Sequence, residues 1–247
     1  MDSEASYIYL PATTSTNSYI NDLLADTPDL PEFTFVHAGF QSGGRGQHGS
    51  MWESLQGQNL LFSLLLRPIK LPANKSFAIS KMVSVSIVDV LSRYASGFNI
   101  KWPNDIYWMD KKICGILIEN TIIGDCVVSS VIGAGININQ QEFGTSVPNP
   151  VSLRSIIGYE TEPEDLLHEV AVEIISSYKS YIAGHYDTLD DEYFSLLYRR
   201  EGFHRYESGG RQFTAEIRDV TPDGFLVLCE EDGTTSRYAF KEVAFLL

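Results

Sequence analysis

The chain has 247 residues, of which 44% are hydrophobic and 20% charged, the proportions of a globular protein long enough to bury a large core. Its formal net charge is −14, which speaks against nucleic-acid binding, where a basic footprint must displace counterions, and against an anionic membrane surface. Three widely spaced cysteines without a CxxC predict neither disulfides nor a zinc site and fit a reducing, cytoplasmic location, while an acidic N-terminus and short apolar runs predict neither signal peptide nor membrane span.

Residues 6–10 (SYIYL) read as a strand. Ser15, Thr16 and Asn17 then start a helix whose stripe is Tyr19, Ile20, Leu23 and Leu24, and a plain N-cap accounts for them locally. FTFVHAG (33–39) is a strand running into a glycine loop, NLLFSLLLRP (59–68) is a buried strand, and residues 72–95 form a long buried helix. FNIKWP precedes two strand-like runs around a polar tip at Asp110, Lys111 and Lys112, which predicts a hairpin, and CVVSSVIGAGINI (126–138) is another apolar strand. Two helices follow. The first opens with Thr161 and Glu164 at capping-box spacing and carries a stripe from Leu167 to Ile182; the second covers 188–200, with Phe194 and Leu197 facing in. From residue 203 the pattern changes to short β-branched and aromatic runs between turn signals at Ser208-Gly209-Gly210, Pro222-Asp223-Gly224 and Asp232-Gly233. This predicts a small all-β unit of about five strands, with a domain boundary between 1–202 and 203–247.

Four stretches carry chemistry. GGRGQHGSMW (43–52) concentrates backbone freedom beside one fixed positive charge, Arg45. Backbone N–H groups and a guanidinium together suit a phosphate or a carboxylate. KWPND (101–105) places Asn104 and Asp105 after a rigid proline, a pattern that also describes a simple turn. In KKICGILIE (111–119), Gly115 within a strand marks close approach of a ligand. Lys112 is three residues away, so a regular strand would point it to the other face unless a bulge or the hairpin's start intervenes. GAGININ (133–139) sets Asn137 and Asn139 on one strand face, without the third glycine of a dinucleotide fingerprint.

In this order and spacing, STN (15–17), QSGGRGQHGSMW (41–52), KWPND, KKICGILIE and GAGININ resemble the biotin–protein ligase family. The motifs cover roughly 10–140, and the C-terminal unit looks like that family's SH3-like domain. The resemblance implies an α+β fold: a mixed β-sheet with flanking helices, similar to class II aminoacyl-tRNA synthetases, followed by a small C-terminal SH3-like β-barrel. It implies activation of biotin with ATP and Mg²⁺ to biotinyl-5′-AMP, release of pyrophosphate, and transfer of biotin to one lysine of a biotin carboxyl carrier domain. The STN element starts at residue 15, so the expected form lacks an N-terminal DNA-binding domain; either a monomer or a homodimer is compatible with the resemblance.

The implied roles follow. Ser15, Thr16, Asn17, Gln41 and Gly44 would meet biotin, with Gly115 leaving room for it. Arg45 and Lys112 would stand between the biotin carboxylate and the attacked phosphate, since two anions meeting in line need a cation between them. Asp105 would orient Lys112 or Mg²⁺, or take the acceptor lysine's proton. Arg45, Gln47, His48, Trp52, Lys101, Asn104 and Asn137 would serve ATP. The glycine loop would order over a water-sensitive mixed anhydride. The chain departs from the family's commonest loop, GRGRRGRxW: Gln47, His48 and Ser50 replace three arginines, which predicts weaker retention of the adenylate and a pH-sensitive closure at His48. Lipoate ligases share the superfamily but have little use for a Ser-Thr-Asn and Gln cluster. An idle biotin-binding module would not need Arg45 and Lys112.

Overall fold

The computed structural model describes residues 4–49, 51–68, 71–144 and 149–246. Strands β1 (Ser6–Leu10), β2 (Thr34–Ala38), β3 (Asn59–Leu66), β4 (Leu71–Pro72), β5 (Phe98–Lys101), β6 (Asp105–Trp108), β7 (Lys111–Ile123) and β8 (Cys126–Asn137) form one sheet. Its order is β1-β2-β3-β8-β7-β6-β5, with β4 on β8. The β1–β2 pair is parallel and the other pairs are antiparallel, so the sheet is mixed.

β3 explains the layering. All eight of its residues are buried, as expected of a central strand covered on both faces. Leu64 and Leu66 enter the main core with α2 (Phe77–Ser92) and α4 (Pro163–Ile182). Leu65, pointing the other way, packs with Ile20 of α1 (Thr16–Asp26), Val36 and Val131. α2 is buried nearly all round because α4, α5 (Tyr186–Ser195) and β5 surround it.

Three local expectations need correction. A short helix, α3 (Leu153–Ile157), lies between β8 and α4 and is capped by Ser152. The Thr161–Glu164 capping box does not form: Glu162 is the N-cap of α4 without a side-chain bond, and Thr161 instead exchanges two bonds with the Asn139 amide, at 2.9 and 3.0 Å. The last helix ends at Ser195, so Leu197 is buried from outside it, where its backbone bridges to Ile100 of β5.

The second sheet contains β9 (His204–Ser208), β10 (Arg211–Val220), β11 (Leu226–Glu230), β12 (Thr235–Tyr238) and β13 (Ala244–Phe245), in the order β12-β11-β10-β9-β13. Its tight turns fall on the expected glycines, with φ of +79° at Gly210 and +87° at both Gly224 and Gly233. Among the described residues β12 and β13 do not pair, so hydrogen bonding leaves the five-strand order open. No helix among the described residues is long and apolar enough to cross a membrane.

Candidate active site

A cleft of about 170 Å³ opens where the start of α1, the glycine loop, β7, β8 and the β5–β6 turn meet. It is lined by Ser15, Thr16, Asn17, Gln41, Arg45, Gln47, Trp52, Asn104, Asp105, Lys112 and Gly115. Most of the expected site is therefore one surface, assembled from segments up to a hundred residues apart.

One end is a polar network. Ser15 is the N-cap of α1 by position, yet its side chain makes no capping bond. Gln41 Oε1 accepts from the Thr16 backbone N–H at 2.8 Å and from Thr16 Oγ1 at 3.1 Å. Ser63 Oγ lies 2.6 Å from Thr16 Oγ1 and 2.5 Å from Asn17 Oδ1. Asn17 Nδ2 donates to Glu119 at 2.9 Å. Gly133 makes room for this arrangement, because a Cβ there would fall 2.3 Å from Asn17 Oδ1. Ser63 and Glu119 were not among the expected residues. Ser63 had a signal, a lone hydroxyl within an apolar strand, and Glu119 is the charge that closes the Ile116–Ile118 run.

The middle of the cleft is a glycine floor. Gly115 on β7 and Gly135 on β8 are direct register partners, and the Trp52 indole lies on them. A Cβ on Gly135 would sit 2.4 Å from Trp52 Cε2, and one on Gly115 would sit 3.0 Å from Trp52 Cζ3. Trp52 Nε1 is buried here without a hydrogen-bond partner among the described residues. The loop that delivers this ring is closed by the Arg45–Met51 bridge and by Trp52 N–H donating to Gly44 O at 2.9 Å. Gly44 is required there: a Cβ would be 2.5 Å from the Trp52 carbonyl oxygen.

At the other end Lys112 and Asp105 form an ion pair of 2.7 Å. The spacing problem of Lys112 and Gly115 is resolved by a bulge. Ile106 faces Cys114 while Tyr107 faces Lys112, so Ile113 is an extra residue on β7. The Lys112 ammonium thereby reaches back to the Gly115 level, 3.3 Å from where a Cβ would stand. It also lies 5.8 Å from the Trp52 ring centre. Cys114, beside it, is fully buried, and burial pushes its thiol far above the usual range, so it is not a thiolate nucleophile.

The structure does not bring Arg45 to Lys112. Arg45 pairs with Glu119 at 3.2 Å and reaches Ser18 at 3.4 Å. Four residues of β7 separate the Gly115 level from Glu119, roughly 13 Å at a strand's rise. Three of the expected nucleotide residues have protein partners of their own in this structure. The Asn137 amide donates to Val151 O at 3.1 Å and Asn137 does not line the cleft. Asn104 does line it, but its amide nitrogen is bonded to the Ile116 carbonyl. Lys101 is the register partner of Asp105 but does not itself line the cleft; it donates to the Tyr107 hydroxyl at 3.0 Å and lies 5.5 Å from the Phe245 ring, and burial lowers its pKa. The side chain of His48 and all of Ser50 lie outside the described residues. Among the described residues no three His, Cys, Asp or Glu side chains are grouped to hold a metal ion.

Comparison with known proteins adds to this geometry. A family model described as the biotin/lipoate A/B protein ligase family matches residues 9–137, the stretch that carries the cleft's main motifs. The biotin–[acetyl-CoA-carboxylase] ligase of Paracoccus denitrificans is 31% identical over 169 residues, covering 66% of this chain and 68% of that protein. The bifunctional ligase/repressor BirA of Bacillus subtilis (strain 168) is 32% identical over 180 residues, covering 71% of this chain and 54% of that protein. The chain spans about half the length of the ligase/repressors it matches. Among solved structures, the biotin protein ligase from Aquifex aeolicus in complex with biotin and ATP superposes with a TM-score of 0.78 at 23% identity, over 97% of each chain. That likeness establishes the shared fold.

Proposed function

Because the chain belongs to the biotin/lipoate A/B protein ligase family, we propose that it activates biotin with MgATP to biotinyl-5′-AMP and passes the biotinyl group to a lysine of a biotin carboxyl carrier domain. The observation that carries this reading is the polar end of the cleft. A ureido group is planar, neutral and equipped with both donors and acceptors. Ser15, Thr16, Asn17 and Gln41 line this end and supply the complementary set, on a frame that the buried Ser63 hydroxyl ties together behind them. A dithiolane or a plain acyl chain would cover these groups without meeting their remaining donors and acceptors, which favours biotin over lipoate.

From that end the valeryl chain runs along the glycine floor toward Lys112. Lys112, held by Asp105, meets the biotin carboxylate and the attacked α-phosphate, and screens one anion from the other. Arg45 joins it only after its pair with Glu119 opens. Both partners of that pair are substantially exposed, so it is weak, worth about 0–1 kcal/mol, and two substrate anions outcompete it. Mg²⁺ enters with the nucleotide as part of the substrate. Residues 1–202 form the catalytic unit and 203–247 a C-terminal unit that borders it.

ATP–pyrophosphate exchange with the purified chain tests the reading, with biotin, lipoate or no acid added. Exchange with biotin alone is expected. Exchange with lipoate instead would reassign the pocket, and none with either acid would withdraw the adenylation step.

A further inference from the structure

The polar end of the cleft is short of protons. Four oxygens stand in a row there, Gln41 Oε1, Thr16 Oγ1, Ser63 Oγ and Asn17 Oδ1, with successive separations of 3.1, 2.6 and 2.5 Å. The two ends are amide oxygens, which only accept, and the two hydroxyls between them bring one proton each. Three contacts therefore share two protons, although Thr16, Asn17 and Ser63 are almost wholly buried. Such a row has lone pairs to spare and suits a ligand that brings N–H groups. Turning the Asn17 amide over would set its Nδ2 against Ser63 and supply the missing proton. Glu119 opposes that. Its Oε2 accepts from Asn17 Nδ2 at 2.9 Å and from Arg45 at 3.2 Å, and a carboxylate has no proton to offer an inverted amide oxygen.

We propose that Glu119 is a positioning residue that makes the cleft selective for a cyclic urea, resting on the ligase reading above. It acts through Asn17, since Glu119 itself does not line the cleft. By taking the Asn17 Nδ2 hydrogen it turns Oδ1 into the row and keeps the row rich in acceptors. The two ureido N–H groups of biotin supply what the row lacks, whereas a dithiolane has no hydrogen to donate. Gly133, opposite Ser63 in the register, leaves the space in which the Asn17 amide holds this orientation. The preference for the ligand head is thus set from behind the pocket wall, by a charge on β7.

Calorimetric titration of biotin into the purified chain, without nucleotide, tests this on the wild type and two variants. Glu119→Gln keeps the shape but brings a hydrogen to donate, so Asn17 turns over and completes the row by itself. Its Kd for biotin is expected to rise about tenfold, the scale of one hydrogen bond. Adding Asn17→Asp to Glu119→Gln moves the obligate acceptor one place along: the new carboxylate accepts both from Ser63 and from the amide introduced at 119. This double variant should bind biotin within about threefold of wild type. It also separates the two partners of Glu119, because it restores the polarity of the row without returning a carboxylate to the position that Arg45 reaches. Wild-type affinity in Glu119→Gln, or a double variant that binds no tighter than the single one, would each overturn the assignment. A wild-type chain that binds no biotin would instead remove the ligase reading, and this assignment with it.

Discussion

At the scale of single residues, the cleft depends on a few side chains whose removal has distinct signatures. Lys112 is the cation fixed at the reacting end, anchored by Asp105 at 2.7 Å. Lys112→Ala should slow biotin-dependent pyrophosphate exchange by about 10²–10³, or roughly 3–4 kcal/mol, the usual loss for one transition-state donor. A loss under about threefold would take it out of the mechanism. Gly133 acts differently, since its missing Cβ lets Asn17 bridge Ser63 and Glu119. Gly133→Ala should cost about 1–3 kcal/mol of stability as an overpacked site. It should also raise the KM for biotin well above any change in the KM for ATP, as steady-state exchange rates would show. These residues were unevenly legible. Gln41 and Thr16 stood in motifs, whereas Ser63 looked like one more position of a buried strand until its hydroxyl was seen between Thr16 and Asn17. The Asn137 amide donates to the Val151 carbonyl, a partner no local pattern announces.

At the scale of elements, the glycine loop and β7 decide how the cleft works. The loop brings its own aromatic ring onto the floor made by Gly115 and Gly135, leaving the indole N–H buried and without a partner among the described residues. An unpartnered buried donor costs about 1–3 kcal/mol, so this placement is easily exchanged for one in which a ligand takes the floor. Biotin plus ATP should therefore shift the Trp52 emission, and the shift should vanish in Trp52→Phe. An unchanged spectrum in the wild type would mean that the ring stays against Gly135. The β7 bulge is one of the two arrangements that the strand spacing left open. A period of two assigns Lys112 and Gly115 to opposite faces, and one extra residue, Ile113, returns them to the same face. The helix after β8 was invisible for the opposite reason, because five residues offer too little periodicity to read.

At the scale of the whole molecule, the two sheets meet at Trp102, Gly224, Phe77 and Phe240. Gly224 presses so closely on Phe77 that a Cβ would lie 2.8 Å from its ring, while its carbonyl accepts the Trp102 indole N–H. Trp102→Phe keeps the ring packing and strands that carbonyl, so it should lower stability by about 1–2 kcal/mol in chemical denaturation. Saturating biotin and ATP should recover part of the loss, since a ligand at 100 times its Kd adds about 2.7 kcal/mol. A variant as stable as wild type would show that the indole bond does not fasten the sheets.

The sequence by itself determined most of the strand and helix succession, the change from mixed α+β to all-β pattern near residue 203, and the family, because motif order, spacing and hydrophobic period are local properties of the chain. Only the tertiary structure decided which polar groups face one another. Asn17 meets Glu119 across 102 residues, and Phe240 enters a cleft built by segments more than a hundred residues before it. Arg45 lies with Glu119 instead of Lys112. Each of these outcomes is a competition among donors and acceptors brought together by strand register, and register is set by the burial of whole sheet faces, not by the residues beside each polar group.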